Sequence, residues 1–256
     1  MGTRTPVLEV RNIRKHFGGI AALKGVGFEL FEGEVLGIVG DNGAGKSTLI
    51  KIISGVYQMD EGEMYFYGKK ADIRSTNDAK KLGIETVYQD LALVDDLDIP
   101  GNIYLGREAT FLGRFGRLIG IRNDRRMAVE STKLLRELNV DIPNVLKKVR
   151  YLSGGQRQVV ALGKVVFWGK KIVILDEPTA ALGVQEANTV LELIIKLKDK
   201  GISIVIISHN LQHVFRVVTK IMVLRRGEMV GVRSAHETSA NEIVGMITGA
   251  EVFERV

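Results

Sequence analysis

Between Gly40 and Thr48 the chain reads GDNGAGKST, with glycines at 40, 43 and 45 directly ahead of Lys46 and Ser47. This G-x-x-x-x-G-K-[ST] spacing suits a backbone cradle for phosphate oxygens. N–H groups along Asp41, Asn42, Gly43, Ala44 and Gly45 can turn toward one anion, and the helix start at Lys46, Ser47 and Thr48 supplies more. Lys46 would reach the outer phosphates and the Ser47 hydroxyl would bind Mg2+. Far along the chain, KIVILDE ends in Asp176 and Glu177. Beside a phosphate cradle, Asp176 suits the metal side and Glu177 the orientation or deprotonation of an attacking water. Gln89 closes ETVYQ and His209 closes SIVIISH, so both are further candidates at the same place.

A second anion-facing helix start lies in YLSGGQRQVVALGKVV, where Ser153, Gly154, Gly155 and Gln156 offer a hydroxyl, bare backbone and N–H groups. No strand-like run leads into it.

These residues need elements to hold them. The runs 35–40, 85–89, 171–177 and 203–209 are almost continuously apolar, as expected of strands covered on both faces of a parallel sheet. Each carries a polar residue at its carboxyl end, where open α/β sheets collect ligands. LEVRNIRKHF, GVGFELFEGE and EMYFYGK alternate instead, which predicts a small antiparallel sheet within about 6–35 and 60–72. Between about 90 and 155 strand signals vanish and helix-length patterns such as RRMAVESTKLLRELNV take over, interrupted by FLGRFGRLIG. This stretch is expected to be an inserted helical subdomain. Strands at 220–225 and 228–232 and helices over LQHVFRVV and SANEIVGMIT complete the pattern.

The bulk properties fit one domain across 1–256. Hydrophobic residues make up 45% and charged residues 26%, so disorder is excluded as the default. The absence of cysteine excludes disulfide and thiol chemistry. No apolar run nears the ~20 residues that cross a bilayer, and a soluble, cytosolic chain is expected. The net charge of +6 is spread in short basic pairs, which favours a solvated surface over a nucleic-acid footprint.

With these motifs in this order, the sequence resembles the ATP-binding cassette (ABC) ATPases across nearly its whole length. GDNGAGKST looks like the Walker A loop, ETVYQ the Q-loop, LSGGQRQ the signature, KIVILDEP the Walker B strand and SHN the H-loop. The resemblance implies an α/β fold: a P-loop NTPase of the ABC type, its mostly parallel core sheet lying between helices beside the antiparallel and helical subdomains. It implies ATP and Mg2+ as ligands and places Phe17 of KHFGG where an aromatic, usually Tyr, stacks on adenine. Gln89 is expected at the Mg2+ or attacking water, and His209 at the γ-phosphate. Two positions depart from the pattern: Gly183 stands where most of the family has Asp, and Gly163-Lys164 where Ala-Arg is usual.

Finer features, including IETVYQDLAL, NIYLGRE and EPTAALGVQE, look like the ATPases of bacterial monosaccharide importers, nearest the single-cassette fructose type. That implies a second cassette subunit, a separate membrane permease fed by an extracytoplasmic sugar-binding protein, and residence at the cytoplasmic face of the inner membrane. Import of another solute such as amino acids stays open. A soluble relative acting on ribosomes or nucleic acid is disfavoured, because those carry paired cassettes, long coiled coils or metal modules.

Overall fold

In the computed structural model, residues 4–111, 122–138, 142–169 and 171–250 are described. Alternating apolar and polar residues form the hairpin β1 (Leu8–Phe17) and β2 (Ile20–Leu30). The unbroken run Val35–Val39 forms β3, which feeds α1 (Lys46–Ile53). Next come β4 (Glu61–Phe66), β5 (Lys69–Lys70), α2 (Thr76–Lys81) and β6 (Ile84–Val87). Helices α3 (Ile99–Ile103), α4 (Asp124–Glu137) and α5 (Gly154–Trp168) occupy the following stretch. Then β7 (Ile172–Asp176), α6 (Val184–Asp199), β8 (Ser203–Ile207) and α7 (Leu211–Val217) alternate. Strands β9 (Lys220–Arg225) and β10 (Glu228–Ser234) precede α8 (Ala240–Thr248).

Strand order in the large sheet is β10-β9-β3-β8-β7-β6, with β9 through β6 mutually parallel and β10 antiparallel at the edge. The expected parallel core is therefore present. Side chains alternate between two buried faces, the reason these strands read as continuous apolar runs. Val35, Val39, Val173, Leu175, Ile204 and Ile206 pack on one side with residues of α3 to α8. Leu36, Ile38, Ile172, Ile174, Val205 and Ile207 pack on the other with α1, α2 and the small sheet. That small sheet has the order β2-β1-β4-β5 and is antiparallel throughout, as its alternation predicted.

Between Asp90 and Arg150 the described residues contain helices α3 and α4 and only isolated bridges, Asp98 to Lys148 and Thr110 to Arg122. The piece FLGRFGRLIG lies, beyond Phe111, outside the described residues. Helix α2 had no clear periodic signal: it is six residues long, capped by the Ser75 hydroxyl accepting from Asp78 N–H. Gly163 sits inside α5, where an added Cβ would meet Leu134 and Leu138 side chains at 3.5 and 3.7 Å, ordinary contact distances. Nothing in the packing explains glycine there.

Candidate active site

The loop from Gly40 to Gly45 turns directly off the carboxyl end of β3. Its glycines are dictated by the backbone. Gly40 has φ 155°, and a Cβ there would fall 2.1 Å from the Leu224 carbonyl of β9. Gly45 has φ 104°, with Ala22 O and the Leu23 side chain each 2.8 Å from where a Cβ would stand. The sheet and the β2 strand thus press on the loop from both sides, and only glycine passes. Gly45 is the N-cap of α1 and offers no side-chain cap, so the first N–H groups of that helix are left to an anion. Asn42 N–H donates to the Asp41 carboxylate at 2.7 Å, shaping the exposed tip.

Lys46 is only 9% exposed, and its ammonium donates to the carbonyls of Gly40 and Asp41 at 2.8 and 2.9 Å. Burial pulls it below its ordinary range, against the opposing pull of Glu177, Asp41 and Asp176. Those carboxylates belong to the neighbouring strand end. Asp176 is the last residue of β7; burial pushes its carboxyl up, the Glu177 charge adds to the effect, and Lys46 opposes it. A cation and two carboxylates therefore share one partly dry corner.

Register explains the next contact. Asp176 pairs with Ile207, and the Glu177 N–H donates to the Ile207 carbonyl at 2.9 Å. This sets Glu177 and His209, each just past its strand, beside one another. His209 Nδ1 lies 2.9 Å from Glu177 Oε1, with the imidazole side chain 72% exposed and the Glu177 side chain 14% exposed. Glu177 has φ 52°, the left-handed region that a residue with a side chain occupies at a cost.

Other expected residues stand apart. Strand β6 stops at Val87, so Gln89 lies two residues past its end rather than closing it, and is exposed without a hydrogen bond to the other site residues. The intervening Tyr88 turns aside, its hydroxyl 2.7 Å from Ser54 Oγ. Phe17 ends β1, 43% exposed, with its ring edge-on to Tyr57 at 5.3 Å between centroids. At the start of α5, Ser153 caps the helix by accepting from Gln156 N–H at 3.3 Å, and the Gln156 side chain accepts from Ser153 N–H at 3.1 Å. Gly154 and Gly155 form its first turn. None of the hydrogen bonds of Ser153 runs to the glycine-rich loop. Beyond its own helix, its hydroxyl donates to Glu186 of α6, a residue that nothing in the sequence pattern singled out.

Chemically, the corner can take up a polyphosphate on N–H groups and Lys46, and it holds a carboxylate ready for a water proton. Ser47 and Asp176 are hard oxygen donors of the kind Mg2+ takes together with substrate phosphates, and among the described residues no cluster of three His, Cys, Asp or Glu competes for that role. No helix among the described residues is long and apolar enough to cross a membrane.

Residues 23–180 match the family profile described as ABC transporter. The chain is 48% identical over 245 residues to the xylose/arabinose import ATP-binding protein XylG of Sulfolobus acidocaldarius, covering 94% of each. It is 43% identical to the fructose import ATP-binding protein FrcA of Rhizobium meliloti, over 96% of this chain and 95% of that one. The crystal structure of the ADP conformation of an ATP-binding cassette of an ABC transporter superposes with a TM-score of 0.81 at 28% identity, covering 96% of both. A dimeric bacterial ABC transporter cassette gives 0.74 at 26% identity, over 89% of this chain and 98% of that one. Matched in its phosphate loop, its strand order and nearly its full length, the chain belongs to the ABC transporter family and is an ATP-binding, ATP-hydrolysing cassette.

Proposed function

We propose that this cassette powers uptake of a monosaccharide through a separate membrane permease. The observation that carries the hydrolytic part is the meeting of Lys46, Asp176, Glu177 and His209 at one sheet edge. The two relatives named for sugar import support the transported solute.

In this proposal the residues 40–48 cradle the phosphates and Phe17 stacks on the adenine. The Ser47 hydroxyl and the Asp176 carboxylate would hold Mg2+, with Gln89 beside them, and the ion would supply positive charge against the phosphates. Glu177 accepts the proton of the attacking water while His209 contacts the γ-phosphate, and Lys46 absorbs charge that develops on the outer oxygens. Ser153, Gly154, Gly155 and Gln156 face the γ-phosphate held by a second copy of the chain, so that two composite sites close between paired cassettes. The small antiparallel sheet within 6–35 and 60–72 serves the base, and the helical subdomain of about 90–155 docks the permease at the cytoplasmic face of the inner membrane. An extracytoplasmic sugar-binding protein delivers the solute.

Two measurements test this. Glu177→Gln should nearly abolish turnover while ATP binding survives; hydrolysis at the wild-type rate would remove Glu177 as the base. For the solute, the cassette is reconstituted in liposomes with its permease and a sugar-binding protein. Stimulation of hydrolysis by a pentose or fructose is expected, and stimulation by amino acids alone would overturn the assignment to sugars.

A further inference from the structure

The Glu186 carboxylate lies where two helix starts meet. It occupies the third position of α6, whose N-cap is Gly183, and Oε2 accepts from the Gly183 N–H at 3.3 Å. Its other oxygen leaves α6 altogether: Oε1 accepts from the Ser153 hydroxyl at 3.1 Å and from the Gly155 N–H at 3.4 Å. With no side chain, Gly183 cannot return a capping bond, and the glutamate bridges to the neighbouring helix instead. Gly155 makes the approach possible, since a Cβ there would fall 2.8 Å from both Cβ and Cγ of Glu186. Helices α5 and α6, of 15 and 16 residues, thus turn their positive ends on one internal anion. The Gly183 N–H first, then Ser153 and Gly155, hold this carboxyl below the usual range, so it stays ionised at neutral pH.

Ser153 and Gly155 are also the donors assigned above to the γ-phosphate of a facing cassette. We propose that Glu186 is an internal stand-in for that phosphate, occupying the signature donors while cassettes are apart and giving way when the clamp closes. The inference rests on the clamp described under the proposed function and adds a residue that regulates it. A γ-phosphate brings more charge and more acceptor oxygens than one carboxylate, so the exchange is favourable only when a facing phosphate loop presents it. Glu186 therefore sets the ATP concentration at which cassettes pair. It acts through Ser153 and Gly155, touching no reacting atom, and is a positioning residue.

The test uses the full chain carrying Glu177→Gln, which is expected to hold ATP without turning it over, with dimer formation followed by analytical ultracentrifugation across an ATP titration. Adding E186A should lower the ATP concentration for half-dimerisation on the order of tenfold, and E186Q, which keeps the shape but not the charge, severalfold. If Glu186 only capped α6, its loss would loosen the signature and raise that concentration. A midpoint that is unchanged or raised in the folded variants overturns the proposal. Should E186A melt out of the folded state, the isosteric E186Q decides alone. Absence of any ATP-dependent dimer in the Glu177→Gln parent would instead overturn the clamp, and Glu186's role with it.

Discussion

Replacing Glu177 by glycine should leave a fold more stable than replacing it by alanine. Glu177 sits at φ 52°, where the Cβ of an L-residue crowds the following carbonyl. That conformation costs about 1–2 kcal/mol. Glycine removes the crowding, but its freer unfolded chain gives back roughly 0.5–1 kcal/mol. The net advantage over alanine is about 0.5–1 kcal/mol, or ~1–4 °C in melting temperature for a chain of this size. Both variants lose the carboxylate that meets His209, and both keep the N–H donated to Ile207, so their difference isolates the backbone. Differential scanning calorimetry or urea denaturation of the nucleotide-free proteins reads it directly. Neither variant should turn over ATP. If E177G proves less stable than E177A, the backbone there is not strained in solution, and the argument that the site holds its base at a cost to the fold is wrong.

Gly40→Ala would drive a methyl group into the Leu224 carbonyl; about 1–3 kcal/mol of destabilisation and loss of binding to a fluorescent ATP analogue are expected. Gly163→Ala fills space that tolerates a methyl and should stabilise α5 by about 1 kcal/mol in urea denaturation. Asp176 has a folded pKa above its unfolded one, so its ionisation weakens the fold as pH rises through that window and the penalty is relieved below it. Asp176→Asn should therefore melt higher than wild type at pH 7 without nucleotide, with the advantage shrinking toward pH ~4 as the wild-type carboxyl is protonated, while Mg2+-dependent hydrolysis is lost. Ser153→Arg should bind ATP yet fail to dimerise and hydrolyse poorly; an active monomer would refute the role given to the signature.

Local requirements were the legible ones. Gly40 and Gly45 answer to backbone crowding and Gly43 to a positive φ, and their spacing records it. Buried strands announce themselves because both faces are covered, which is why β3, β7 and β8 were readable as apolar runs. What depends on register was not readable. Glu177 and His209 were each visible at a strand end, but their 2.9 Å contact follows from Asp176 pairing with Ile207, a fact about two distant segments. Glu186 was hidden for the same reason: on a helix of mixed polarity it looks like one more solvated carboxylate, and its partner Ser153 lies 33 residues away. Gln89 looked like the end of a strand because ETVYQ is apolar enough, yet pairing of β6 with β7 ends at Val87 and Leu175.

The position of β3 in the large sheet has a consequence for how the protein is made. Its two neighbours are β8 and β9, both encoded roughly two-thirds of the chain later, whereas the strands of the β1–β2 hairpin are consecutive and pair with each other. A ribosome releasing the chain from its N-terminus therefore exposes the phosphate loop long before the strands that clamp it exist. During synthesis β3 is an apolar run without partners, followed by the glycine-rich loop. The nucleotide cradle is translated well before the two strands that flank β3 and acquires its shape only after them, so a nascent chain stalled before β9 would have no competent site with which to consume ATP.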